Sequence, residues 1–196
     1  MKNSRQSAVL RIIAGAWRGR KIRFESPHVR PTGDRVRETL FNWLAPRIQN
    51  ARCLDLYAGT GALGIEALSR GAAHAVFVDS DRLVARCVEQ TLGMLGAEHF
   101  EVLHMHAEST KWAPFGPYDI VFLDPPFDKP DWHNLCTLLE QSGALANECW
   151  VYLEARRAAP DPELPENWET VRHKYAGDVS YRLCIRHASK ERKINA

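Results

Sequence analysis

The sequence predicts an α/β chain: a Rossmann-like, mostly parallel doubly wound sheet with an antiparallel C-terminal hairpin and a small N-terminal β-hairpin extension. Three observations predict it. Short apolar runs alternate with amphipathic helical stretches through the middle of the chain. A glycine loop, Gly59-Thr60-Gly61-Ala62-Leu63-Gly64, joins one such run to a helical stretch. Three runs reach an acid at or near their carboxyl ends, Asp55, Asp79 and Asp124, which is where ligands of open α/β sheets bind.

Taken in order, residues 9–13 and 21–24 are β-branched and apolar around Gly15-Ala16-Trp17-Arg18-Gly19, and read as a hairpin. A helix is expected over about 35–47, capped by Thr32 or Asp34, with Val36, Leu40, Phe41 and Leu44 on its apolar face. Residues 53–57 form a buried strand, and the helix over 62–70 stops at Gly71. The run 75–78 is the next strand. A helix over 81–95 with Ser80 as cap follows, then a strand over 100–104. Tyr118–Leu123 is a further strand, followed by a helix over 132–142 and a strand over 149–154. Pro160, Pro162 and Pro165 mark a loop, and 170–175 with 180–186 form a hairpin around Gly177-Asp178. The chain divides into a basic extension, 1–30, and a body, 31–196. With 196 residues and 45% apolar content, it can bury a sizeable core.

The motif richest in chemistry is Asp124-Pro125-Pro126-Phe127. Prolines fix their own φ and bias the preceding residue towards extended conformations, so the local carbonyls point in set directions. Asp124 adds a carboxylate acceptor and Phe127 a flat apolar face. Such a shelf suits an exocyclic amine on a planar base, a poor nucleophile because its lone pair is delocalised into the ring. Gripping its two N–H groups favours a pyramidal nitrogen whose lone pair faces an electrophile; positioning and electrostatics then carry catalysis. A plain proline turn after a strand is the competing reading of this motif alone.

Gly59, Gly61 and Gly64 fit the G-x-G-x-x-G pattern in its strand–turn–helix context. Asp79 lies about 20 residues past the first glycine, the separation expected for an acid that binds ribose hydroxyls. NAD and S-adenosylmethionine both satisfy that much. Asp55 separates them, because a carboxylate there repels a pyrophosphate and attracts the ammonium of a methionine moiety.

Net charge is only +2, but it is segregated: residues 1–37 hold ten Lys/Arg against two Asp/Glu, and the remainder sixteen against twenty-two. A positive amino-terminal field matches nucleic acid. Trp17 offers a ring to an unpaired base, and Arg18, Arg20 and Lys21 stand beside it. Arg35 and Arg37, at the start of the first helix, are placed to reach phosphate or the target nucleotide. No apolar run is long enough to span a membrane, and the amino terminus lacks a signal-peptide pattern. The five cysteines form no C-x-x-C pair, which fits reduced thiols in the cytoplasm. The histidines are dispersed, so no metal is expected.

The stretch Arg30-Pro31-Thr32, Asp34-Arg35-Val36-Arg37-Glu38-Thr39-Leu40-Phe41-Asn42-Trp43-Leu44, together with Asp55-Leu56-Tyr57-Ala58-Gly59-Thr60-Gly61 and Asp124-Pro125-Pro126-Phe127, resembles the bacterial small-subunit ribosomal RNA guanine-N2 methyltransferases. The segment Ile12-Ile13-Ala14-Gly15-Ala16-Trp17-Arg18-Gly19-Arg20 extends the resemblance over nearly the whole chain. It implies a class I methyltransferase fold, S-adenosylmethionine as donor, and methylation of a 16S rRNA guanine in the assembling small subunit by a cytoplasmic monomer. The nucleotide implied is guanine-966. Carried onto this sequence, Asp55, Gly59 and Gly61 frame the methionine part, Asp79 takes the ribose, His106 and Ala107 line the adenine, and Asp124, Pro125, Pro126 and Phe127 hold the flipped guanine. His106 departs from the Asn or Asp common in similar proteins. Competing classes are an adenine-N6 nucleic-acid methyltransferase, a glutamine-directed protein methyltransferase, an NAD-dependent oxidoreductase and a non-catalytic RNA-binding module.

Overall fold

A computed structural model describes residues 7–25, 33–126 and 131–188. β1 (Ser7–Arg11) and β2 (Lys21–Glu25) pair antiparallel, with Leu10 opposite Ile22 and Arg11 opposite Lys21. The period-two alternation turns Leu10, Ile22 and Phe24 inward and leaves Val9, Arg11, Lys21 and Arg23 outward. The hairpin therefore joins the main core by one face and presents a basic face to solvent.

Its connecting loop does not project freely. The Ala16 N–H donates to the Ser69 carbonyl (2.7 Å) and the Trp17 N–H to Ser69 Oγ (3.0 Å). The Ile13 and Ala14 N–H groups donate to the Glu66 carboxylate at 2.9 and 3.0 Å. Arg70 Nε donates to the same carboxylate (2.8 Å), and Arg37 Nη1 lies 3.7 Å from it. A fully buried carboxylate is tolerated only with charged and N–H partners of this kind.

α1 (Asp34–Leu44) buries Val36, Leu40, Phe41 and Leu44, the apolar face expected. It ends three residues before the expected boundary. Gly33 occupies the cap position without a side-chain bond, Asp34 is the first helical residue, and Thr32 lies outside the described residues.

The body is built on a seven-stranded sheet in the order β5-β4-β3-β6-β7-β9-β8. β3 (Arg52–Asp55), β4 (His74–Asp79), β5 (Phe100–His104), β6 (Tyr118–Leu123) and β7 (Leu145–Arg156) run parallel. Crossover connections carry α2 (Ala62–Ser69), α3 (Arg82–Leu95) and α4 (Trp132–Gln141). β8 (Trp168–Ala176) and β9 (Val179–His187) close the edge as a hairpin around Gly177-Asp178, with β9 antiparallel to both β7 and β8. This is the expected Rossmann-like, mostly parallel doubly wound sheet with an antiparallel C-terminal hairpin. β7 starts four residues earlier than its apolar run suggested, because Ala146–Glu148 are polar or small yet remain in the strand. α3 is capped by Asp81, not Ser80: Asp81 Oδ1 accepts from Leu83 N (2.7 Å) and Val84 N (3.4 Å).

Helices on both faces explain why β3, β4 and β6 read as continuous apolar runs. Leu54, Val76, Val121 and Val151 pack on one side of the sheet; Cys53, Phe77, Ile120, Phe122 and Tyr152 pack on the other. All five cysteines are free thiols. β3 pairs with β4 on one side and β6 on the other, so the chain reverses its direction of winding there. The crevice at that switch point is the expected ligand site.

Candidate active site

The switch point opens into a cleft of about 860 Å³ along the carboxyl ends of the strands. One half is lined by the glycine loop and the ends of β3, β4 and β5: Asp55 to Thr60, Asp79 to Asp81, Val84, and Met105 to Glu108. The other half is lined by Gly33, Arg35 and Val36, by Asp124, Pro125 and Pro126, and by Glu154, Arg156, Ala176 and Val179. The three acids expected from the sequence thus meet in one cleft.

The loop owes its shape to its glycines. Gly61 caps α2 with φ +71°, a left-handed conformation that side chains with Cβ rarely adopt. A Cβ on Gly64 would lie 2.2 Å from the Phe77 ring, so only glycine lets α2 pack this closely on β4. Two of the loop N–H groups are taken by the two flanking acids. Gly64 N–H donates to Asp55 Oδ2 (2.9 Å), and Gly59 N–H donates to Asp79 Oδ2 (2.9 Å). Asp79 Oδ1 accepts from Asp81 N–H (2.8 Å). Both carboxylates are held in fixed orientations and keep lone pairs that can face the cleft.

Electrostatically the cleft is acidic, with Asp55, Asp79, Asp81, Glu108, Asp124 and Glu154 against Arg35 and Arg156. Asp55 is 2% exposed. Burial raises its pKa to about 7, the Gly64 N–H opposes that shift, and the nearby Asp79 adds to it. Burial also raises Asp79, opposed by the N–H groups of Asp81 and Gly59. A cation placed beside such buried carboxylates relieves the cost of ionising them, whereas a phosphate adds to it.

His106 is exposed and precedes a short 3₁₀ turn, Ala107–Ser109. Ala107 is buried, its carbonyl accepting from Trp112 Nε1 (2.8 Å), which ties this wall to the core. Ser80, Val84 and Met105 line the same part of the cleft and carried no sequence signal of their own. Phe127 lies outside the described residues, as do Arg30 and Pro31. Asp124 is half-buried and Pro125 buried, at the end of β6 as expected.

The cations expected to meet RNA are distributed differently. Arg35 is exposed on the cleft rim. Arg37 is a correction. It is fully buried, donating to the Arg11 carbonyl (2.9 Å) and Asp34 Oδ1 (2.6 Å), and is not open to a polyanion. Arg20 is exposed, but its guanidinium reaches the Met94 and Leu95 carbonyls (3.2 and 3.5 Å) at the C-terminus of α3, a favourable place for a cation. Trp17 is half-buried against the core, which leaves only part of its ring for stacking. Arg18 and Lys21 are exposed, and the outward Arg11 and Arg23 extend the basic face they begin. Glu154 and Arg156 were missed. The clue to Glu154 was present, since it ends an apolar run as Asp79 and Asp124 do.

An acid-lined cleft at the switch point of this sheet defines a protein of the Rossmann-like methyltransferase class. Residues 10–185 match the family model described as Conserved hypothetical protein 95. The chain is 47% identical to ribosomal RNA small subunit methyltransferase D of Escherichia coli (strain K12), over 96% of each sequence. It is 42% identical to the protein of the same name from Haemophilus influenzae, over 89% of this chain and 92% of that one. The solved structure of yhhF from Escherichia coli superimposes with a TM-score of 0.84 at 45% identity, covering 92% of this chain and 99% of the other. The chain belongs to this family, that of the ribosomal RNA small subunit methyltransferase D proteins.

Proposed function

We propose that the chain transfers a methyl group from S-adenosylmethionine to the exocyclic N2 amine of a guanine in 16S rRNA of the assembling small ribosomal subunit. The observation that carries this reading is the pairing of two acids across one cleft. Asp55 is buried at the glycine loop, where a cation is needed, and Asp124 with Pro125 stands at the end of the neighbouring strand β6. The names of the relatives support rRNA as substrate. The acidic lining counts against NAD, whose pyrophosphate it would repel.

When bound, the donor supplies an electrophilic methyl carbon on a cationic sulfur. Asp55 holds the ammonium of its methionine part, Asp79 the ribose hydroxyls, and Val84, Met105 and Ala107 enclose the adenine beside His106. Gly59 and Gly61 keep the loop backbone close enough for that fit. Across the cleft, the Asp124 carboxylate and Pro125 carbonyl take the two N–H groups of the target amine. Pro126 stiffens that corner, and Phe127 stacks on the base. No residue of matched pKa is needed as a base, because the methylated nitrogen is a strong acid and sheds its proton to solvent or Asp124.

Incubation with labelled donor and small-subunit particles lacking the modification should yield N2-methylguanosine, mapping to guanine-966. Label in N6-methyladenosine or in protein instead would overturn the reading.

The outward face of the N-terminal hairpin, Arg11, Arg18, Lys21 and Arg23, is the proposed RNA-docking surface, with Trp17 at its edge and Arg35 guiding the strand into the cleft. Replacing Arg18 and Lys21 with Gln should weaken RNA binding and reduce the slope of log affinity against log salt by about 1 for each phosphate no longer neutralised. Arg20 is left intact because it serves the C-terminus of α3. An unchanged slope would place docking elsewhere.

A further inference from the structure

Glu154 belongs to none of the motifs read from the sequence, yet it is built into the cleft. It is only 5% exposed and lines the same half as Asp124. β6 and β7 pair in parallel with Leu123 opposite Leu153, so Asp124 and Glu154 are the next residues on adjacent strands. Paired positions of parallel strands send their side chains to the same face. Tyr152, two residues earlier on that face, is fully buried and donates its phenol O–H to Glu154 Oε2 at 2.6 Å. Burial and the charges of Glu154 and Asp124 hold the phenol far above its ordinary pKa, so it remains a donor throughout the accessible pH range. A carboxylate buried in this way is tolerated only with hydrogen-bonding partners, and Tyr152 is one of them. Each carboxylate oxygen can accept more than one hydrogen bond, so the Tyr152 bond does not exhaust the group.

The geometry points to Glu154 as the residue that selects guanine, its carboxylate accepting the N1–H while Asp124 and Pro125 grip the N2 amine. The inference rests on the guanine-N2 reading above and adds the basis of its specificity. Guanine presents N1–H as a donor beside its amine. Adenine and 2-aminopurine present a bare N1 lone pair at the equivalent edge, which faces a carboxylate with repulsion. A site that hydrogen-bonds an N–H strongly rejects an analogue lacking it, because the buried acceptor is left unpaired. Tyr152 is the positioning residue that fixes the rotamer of Glu154.

The test uses the full chain and small-subunit particles reconstituted with guanine or 2-aminopurine at the nucleotide the wild-type protein methylates. 2-Aminopurine keeps the reactive amine and lacks the N1–H. Wild type should favour guanine in kcat/KM by about 10²-fold or more. Glu154→Gln should bring that preference to within about tenfold, because Tyr152 then donates to the amide oxygen and turns the NH2 towards the bare N1. Tyr152→Phe, which leaves the carboxylate in place and removes only the phenol bond, should lower the preference partway. Thermal stabilisation by S-adenosylmethionine should be the same in all three proteins. A wild-type preference retained in Glu154→Gln overturns the assignment. Loss of donor stabilisation in Glu154→Gln leaves the decision to Tyr152→Phe, whose unaltered preference also overturns it. If wild type yields N6-methyladenosine, the guanine reading fails first, and the product nucleoside distinguishes that outcome.

Discussion

Replacing Asp124 with alanine should reduce methyl transfer by about 10²–10³-fold, the scale of removing one preorganised electrostatic interaction from an active site. Donor affinity should change little. Asp124 stands at the end of β6, in the half of the cleft opposite the glycine loop, and the loop acids Asp55 and Asp79 remain in place without it. A loss in single-turnover rate with unchanged donor binding is the signature of an interaction made with the reacting amine and strongest in the transition state. Asp124→Asn keeps an acceptor oxygen and loses the charge, so it should fall between alanine and wild type. Quenched-flow turnover together with donor titration measures both quantities. Wild-type turnover in the alanine variant would remove Asp124 from the reaction.

Asp55 should make donor binding depend on pH. Its pKa in the folded, ligand-free protein is raised from 3.8 to about 7, chiefly by burial. The sign follows directly. Between about pH 4 and 7 the folded state binds a proton that the unfolded state releases, so ligand-free stability falls as pH rises through that window. Donor binding runs the other way, because the ammonium requires the ionised carboxylate. Affinity should therefore rise by up to about tenfold per pH unit towards pH 7 and level off above it. Asp55→Asn retains an acceptor for the Gly64 N–H but loses the charge. It should weaken donor binding at pH 8 by about 10²–10³-fold, the scale of breaking a buried ion pair, and abolish the pH dependence. Calorimetric titration between pH 6 and 8 checks both. A flat profile in the wild-type protein would mean that Asp55 does not meet the ammonium.

Much of this architecture was legible because its signals are local. An acid closing an apolar run marked Asp79 and Asp124, and Asp55 with three spaced glycines marked the turn into α2. The ends of β5 and β6 coincide with the sequence reading, since both are bounded by polar or turn-forming residues. The cations were harder. Arg37 looks like a surface residue at a helix start, but Glu66, 29 positions away, and the Arg11 carbonyl draw it into the interior. Arg20 resembles a free cation at a hairpin tip until the last turn of α3, 74 residues further on, is packed beside it. Such partners are set by packing between elements, which no periodicity of 2 or 3.6 records.

By itself the sequence determined the alternation of strands and helices, the position of the glycine turn and the three acids at strand ends, because hydrophobic period, backbone permissiveness and strand termination are properties of neighbouring residues. Tertiary structure decided which charges face the cleft and which are consumed as structural ties. It carried β9 between β7 and β8, held Arg37 inside, and set Glu154 beside Asp124. Burial and proximity across the sheet govern those outcomes, and both exist only once distant segments have packed.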